Sequence, residues 1–311
     1  MSPLRACGRS LSSGQEQAKT PAPQRRINRL QALWSRPLAC VDFRHRRLRI
    51  TAIAVLLLFA GLSIGAMWFA PDYATQNRDC IQQNPSWKYP LGTDELGRDN
   101  LSRLLSGLRL SLLLSTLAAA CACALALLFG AVSGLAGGFV ETILLHSINL
   151  VESVPWLFLF LTVRALLPLN VSPSASIWLT FALLAALGWT HAARVLQASV
   201  REIRHSEALV YARACGIAGW RLWVYQALPG LRRVSLTQFT ILIPTFILAE
   251  AGLGLLGLGV SEPLPSLGNL LRQLEKPELV HAHPLVLTPL LVLLLVILSL
   301  RTVSGDLEVT A

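Results

Sequence analysis

The sequence predicts an all-α polytopic membrane protein with six transmembrane helices, and three observations predict it. Of the 311 residues, 53% are apolar and only 14% are charged, whereas a soluble domain carries about 25% charged residues; the mean hydropathy is +0.55. Apolar runs of roughly 20 residues, the helical length needed to cross about 30 Å of hydrocarbon, recur along the chain. The net charge of +10 is concentrated in one tail, where Met1 to Arg49 hold 11 basic and 2 acidic residues. A basic patch on a folded domain is what a nucleic-acid binder needs, so no nucleic-acid partner is expected.

Residues 1–49 are a basic cytoplasmic tail. From Met1 to about Leu38 the Ser, Gln, Pro and Arg residues lack apolar periodicity, so this stretch is expected to be largely disordered. Its role is to fix topology and to attract anionic membrane lipid. A secretory signal would place an apolar core in the first 15 to 30 residues or so. Here the chain stays polar until Ile50, so the run Ile50 to Ala70 is read as a retained first span.

Residues 71–108 form an extracytoplasmic segment with an amphipathic helix. Thr93 is placed to cap it, Asp94 and Glu95 suit the positive first turn, and Leu101, Leu104, Leu105 and Leu108 repeat at helical spacing. Arg98, Asp99 and Arg103 fall on the other face, giving a helix expected to lie on the outer membrane surface. Residues 109–304 supply a five-helix core. Its spans are expected near Leu110–Ala136, Thr142–Leu167, Ser176–Ala193, Val234–Leu258 and Leu285–Leu300. Residues 305–311 are a short cytoplasmic C-terminus.

Orientation follows the positive-inside bias. With the N-terminus inside, the cytoplasmic segments hold 19 of the 27 basic residues. Seven of these, Arg194, Arg201, Arg204, Arg213, Arg221, Arg232 and Arg233, fall in the 194–233 loop. Both termini are therefore expected in the cytoplasm. Within the loop, Glu207 to Cys215 and Ala218 to Ala227 form two short helices with Gly216 at the turn and Pro229 as the stop. Trp220, Trp223, Val224 and Ala227 make an apolar stripe that fits either lipid or a partner's groove.

Two acidic residues, Glu152 and Glu250, lie at membrane depth, where an ionisable group is costly and marks a candidate pathway or gate. Glu152 follows Asn149 and precedes Pro155, so pairing within the bundle near a kink is expected; His146 lies on the face of Asn149. Cys7, Cys40, Cys80, Cys121, Cys123 and Cys215 show no CxxC and no zinc spacing, and His281 with His283 reads as a wet loop, so no metal is expected. There is no HExxH and no cluster of carboxylates with a partner base, hence no catalytic residue is nominated and the chain is not expected to be an enzyme.

Several stretches resemble the permease subunits of bacterial ATP-binding cassette importers of the dipeptide, oligopeptide and nickel group. They are Tyr89 to Asp99 with Leu101 to Leu105, Trp189 with Ala193-Arg194, Ala212 to Gly216 followed by Leu228-Pro229, and Glu250 to Gly259 with Pro265 to Asn269. The resemblance covers roughly Arg44 to Asp306. It departs from the family pattern at Val210-Tyr211, at Leu267 and after Gly305-Asp306.

The resemblance implies a type I importer permease fold in the bacterial inner membrane. The chain would form half of a translocation pathway for peptides, similar small solutes or nickel chelates. It also implies an ATPase-coupling loop at 207–229, with Tyr211, Ala212, Arg213, Ala214, Gly216, Trp220, Leu228 and Pro229 as its residues. No GxxxxGK[ST] occurs, so no cofactor is expected in this chain; ATP and Mg would be bound by the partner ATPase. The implied partners are a second homologous permease, two ATP-binding subunits, an extracytoplasmic solute-binding protein and membrane lipid. The competing reading is a nucleotide-independent secondary transporter or channel, which would show repeats with broken helices or a buried charge relay.

Overall fold

A computed structural model describes residues 38–69, 73–136, 138–166, 172–207, 211, 228–276, 279 and 283–309. The expected disorder of the tail and most of the expected cytoplasmic hairpin fall outside the described residues. The chain divides into two units, Met1–Arg47 and Leu48–Ala311, and the architecture that follows is that of the second.

Eight α-helices occur among the described residues: α1 (Leu38–Phe69), α2 (Asn100–Ala136), α3 (Gly138–Ser153), α4 (Trp156–Leu166), α5 (Pro173–His205), α6 (Leu228–Leu255), α7 (Leu267–Leu271) and α8 (Thr288–Val309). No strand occurs among them. Five helices are long and apolar enough to cross a membrane, or six if α3 and α4 together make one bent span. That bend is the largest departure from the expected spans: α3 and α4 meet at 78°. Pro155 sits at the break, where a ring in place of an N–H cannot continue the helix.

The helix starts have chemical causes. Asp99, not Thr93, caps α2: its Oδ1 accepts from Leu101 N at 3.2 Å and its Oδ2 from Ser102 N at 3.1 Å. Leu101, Leu104, Leu105 and Leu108 are thereby the first turns of one 37-residue helix, not of a separate one. Ser172 caps α5, with Pro173 in the first turn where its missing N–H costs nothing. α5 continues past the expected span end at Ala193 to His205, so Arg194, Arg201 and Arg204 are helical.

The core is built on a seam of small residues. Ala118, Ala119, Ala122, Ala126, Gly130, Ser133 and Gly134 on α2 are buried, as are Ala192, Ala193, Leu196 and Val200 on α5. A Cβ on Gly130 would come within 2.7 Å of Ala193 O, and one on Gly134 within 2.6 Å of Val200 Cβ. Small residues let helix backbones approach where lipid supplies no hydrophobic drive. α6 completes this cluster through Leu242, Phe246 and Leu253, and a second cluster joins Leu104 and Leu108 of α2 to Ile247, Leu267, Leu270 and Val296. Outward-facing Leu57, Leu117, Leu128, Phe158, Trp178, Leu248 and Leu298 are exposed, as a lipid-facing or subunit-facing surface requires.

Candidate functional site

At one end of the bundle, residues 73–99 fold into a knot. Gly92 and Gly97 hold left-handed backbone, φ 68° and 74°, where a Cβ is unfavourable. The Thr93 hydroxyl accepts from Gln83 N at 2.8 Å and donates to Cys80 O. Asp94 Oδ1 accepts from the amides of Leu96 and Arg98 at 2.9 and 2.8 Å. Its Oδ2 takes Arg98 Nε at 2.8 Å and Arg103 Nη1 at 2.5 Å. Glu262, in the connection after α6, closes the set by accepting from Arg98 at 2.7 Å and Arg103 at 3.0 Å. Lys276 pairs with Glu95 at 2.6 Å between the same two segments.

The sequence places Arg98 and Arg103 on a polar face. In the fold both are buried, with side chains only 5% and 2% exposed. Burial works to lower the Arg98 pKa, but its hydrogen bonds to Glu262 and Asp94 prevail and hold it above the usual value. Burial works to raise the Glu262 carboxyl, yet the two guanidinium groups hold it below the usual range. Asp99 has no such cation: burial pushes its pKa up against the Ser102 and Leu101 amides. A cavity of about 620 Å³ opens beside the cluster, lined in part by Gln83, Asn100, Arg103, Arg272, Lys276 and His283.

Glu250 lies in the joint below. It is completely buried, and its Oε2 accepts from Ser111 Oγ of α2 at 3.2 Å. Ser111 Oγ in turn accepts from Leu267 N of α7 at 3.4 Å. The fit is tight, since a Cβ on Gly254 would come within 2.3 Å of the Gly268 backbone. Glu250 thus ties α6 to α2 and α7.

The second cavity lies midway along α5 and beside the C-terminal third of α6. It is a groove of about 500 Å³, walled by Val151, Glu152, Val154 and Pro155 at the α3–α4 break, Leu159 of α4, Leu184, Leu187, Gly188 and Thr190 of α5, and Thr245, Phe246, Leu248, Ala249 and Gly252 of α6. Glu250 is not among these residues. Glu152 is, and it is held by Arg194, whose Nη2 also donates to Asn149 Oδ1 at 2.7 Å. Two of the three nominated pathway residues, Asn149 and Glu152, therefore meet at one guanidinium. Arg194 itself is legible in sequence only as a basic residue at a span exit; its pairing needs the α3–α5 crossing. His146 is engaged with its own helix at Thr142 O, 2.6 Å away.

Toward the opposite end, Gln197 Nε2 donates to Glu141 at 2.7 Å and Arg201 lies 3.6 Å from the same carboxylate. Of the nominated coupling residues, Tyr211 is exposed. Leu228 and Pro229 open α6, with Pro229 in its first turn. Ala212, Arg213, Ala214, Gly216 and Trp220 lie outside the described residues.

Five or six helices of membrane-spanning length and composition, one of them a bent pair broken at a proline beside a groove, give the chain the architecture of a polytopic membrane protein. A family model described as "Binding-protein-dependent transport system inner membrane component" matches residues 126–305. The chain belongs to this family, the inner-membrane permease subunits of ATP-binding cassette importers. It is 30% identical over 246 residues, 78% of each chain, to a putative peptide permease protein of Brucella suis. It is 29% identical over 273 residues to the dipeptide transport system permease protein DppC of Haemophilus influenzae, covering 86% of this chain and 90% of that one. To the oligopeptide transport system permease protein OppC of Bacillus subtilis it is 28% identical over 236 residues, 75% of this chain and 74% of the relative.

Proposed function

We propose that this permease subunit forms one half of the translocation pathway for short peptides, with the groove between the α3–α4 break, α5 and α6 as its wall. The groove carries the reading: it lies between two spans, α5 and α6, and holds a carboxylate, Glu152, in an otherwise mostly apolar lining. Its size falls in the range of about 300 to 1,000 Å³ usual for small-molecule sites. Peptides, not nickel chelates, are the cargo assigned, because the three relatives named above are peptide permeases.

A second homologous permease closes the groove, and an extracytoplasmic solute-binding protein delivers cargo at the end built from residues 73–99 and 256–276. Two separate ATP-binding subunits hold ATP and Mg and dock on the 207–229 loop. Both termini face the cytoplasm. The basic-residue bias supports this orientation; the meeting of Arg98 and Arg103 with Glu262 requires only that the two connections share one side.

The test is purification of the tagged full-length chain from its membranes in mild detergent, followed by labelled-peptide uptake into proteoliposomes. Co-purification of an ATPase and a second permease, with uptake that requires ATP, is the expected result. Exchanging Gly216 for a bulky residue should then uncouple hydrolysis from uptake. Recovery of this chain alone with ATP-independent uptake would overturn the reading in favour of a secondary transporter.

A further inference from the structure

Resting on that reading, we propose that Arg194 is a receptor for the C-terminal carboxylate of the peptide cargo, with Asn149 and Glu152 as the residues that position its guanidinium. A guanidinium has five N–H donors in a rigid fork. Arg194 spends only Nη2 within the protein, on Asn149 Oδ1 at 2.7 Å and on Glu152 Oε2. Its Nε and Nη1 donors have no partner among the described residues, and the side chain is 47% exposed. It stands one helical turn beyond Thr190, which lines the groove, and it is tied to Glu152, which also lines it.

The rest of the groove offers a carboxylate little. Among the residues that line it, Glu152 is the one charged side chain. Thr245 turns its hydroxyl back to Ile241 O of its own helix at 2.8 Å, and Thr190 turns toward Leu187 O. Arg194 stands just outside this lining, so an anionic terminus lodged at the Glu152 end of the groove finds its strongest nearby donors there. Charge balance favours the same event. At rest the Arg194–Glu152 pair compensates itself, so neither charge is left alone beside the groove. A zwitterionic peptide adds no net charge, and its carboxylate shares the guanidinium with Glu152 while Asn149 keeps the fork in place. An isolated Arg would lack both the compensation and the orientation. Three residues on α3 and α5 thus make a preset anion receptor that stays silent until cargo arrives.

The experiment compares uptake of trialanine and trialaninamide by the complete complex, purified with its native partners and reconstituted in proteoliposomes. The solute-binding protein is unchanged throughout, so any selection it makes divides out of the ratio between variant and parent. Arg194→Gln is expected to reduce the acid-over-amide preference about tenfold or more, the scale of losing a charge-assisted hydrogen bond. Arg194→Lys should restore part of it, since the charge is kept and the fork is lost. The double variant Glu152→Gln/Arg194→Gln leaves no lone charge in the membrane and should show the same collapse, which separates recognition from failed insertion. A preference retained in both neutral variants, including one in which acid and amide uptake fall together, would overturn the proposal and leave Arg194 a structural partner of Glu152. Absence of ATP-dependent peptide uptake by the parent complex would instead overturn the peptide-importer reading, and the receptor with it.

Discussion

Arg103 and Glu262, 159 residues apart in sequence, meet at 3.0 Å and fasten the start of α2 to the connection that follows α6. Arg98 makes the parallel contact at 2.7 Å, and Asp94 holds both guanidinium groups from below. The two arginines are buried while Glu262 is half-exposed, so the lock has a charged interior and one accessible jaw. The motif Leu-Gly-Thr-Asp-Glu-Leu-Gly-Arg-Asp of residues 91–99 has a local structural reading: a turn on Asp94, two left-handed glycines, one buried arginine and the Asp99 cap.

Removing the jaw should have a pH signature. The folded Glu262 pKa is depressed by Arg98 and Arg103 against the effect of burial, from an ordinary value of 4.5. Its stabilisation is therefore fully present above that value and is lost as pH falls through the lower folded pKa. Glu262→Gln should lower the apparent Tm of the detergent-solubilised protein at neutral pH, by the equivalent of about 1 kcal/mol after discounting for solvent screening. The two proteins should converge in acid. A Tm difference that is constant down to the acid limit would show that the carboxylate charge contributes nothing.

The joint at Glu250 makes a steric prediction. Gly254→Ala places a Cβ 2.3 Å from the Gly268 backbone, where only a shift of α7 relieves the clash, so a loss of about 1 to 3 kcal/mol is expected. Gly65→Ala in α1 meets nothing within 4 Å and should stabilise slightly, by roughly 0.5 to 1 kcal/mol from helix propensity alone. Thermal unfolding of the two variants side by side checks both signs.

Capping at Asp99 separates two similar substitutions. Asp99→Ala leaves the Leu101 and Ser102 amides without an acceptor and should cost about 1 kcal/mol. Asp99→Asn keeps an oxygen acceptor and gives up a carboxylate whose charged form burial already disfavours. Its loss should be within a few tenths of a kcal/mol, since Asn is as good a cap as Asp. Equal losses in the two variants would assign the role to charge and not to the hydrogen bonds.

Most spans are legible in the sequence because a bilayer imposes a length and a composition that need no tertiary information. The third is legible only in part. Pro155 marks a kink in the run from Thr142 to Leu167, but the sequence does not convey that the two halves meet at 78°. The α2 start was displaced for a related reason: Thr93 and Asp99 are both good caps, and the choice between them depends on Thr93 being engaged by Gln83 and Cys80. The site was half legible. Glu152 and Asn149 stand out as polar residues in an apolar run, whereas Arg194, 42 residues away from Glu152 and beyond the expected end of its span, reads as a loop charge until α5 is seen to continue.

Gly188 of α5 and Phe246 of α6 face each other closely in the wall of the groove. A Cβ on Gly188 would fall 2.4 Å from Phe246 Cε1, so Gly188→Ala must turn the ring out of its seat. Both residues line the groove, and Phe246 is otherwise only 3% exposed, so the ring has the groove as its open direction. Uptake should then fall more steeply for a bulky tripeptide such as triphenylalanine than for trialanine. Phe246→Ala removes the obstruction, and the double variant Gly188→Ala/Phe246→Ala should recover the bulky substrate relative to the single glycine variant, a non-additive result expected only of residues in contact. The measurement is the ratio of the two uptake rates across the four proteins. Equal losses for both peptides, or additive effects in the double variant, would mean that the groove does not set the width of the pathway and that Gly188 serves helix packing alone.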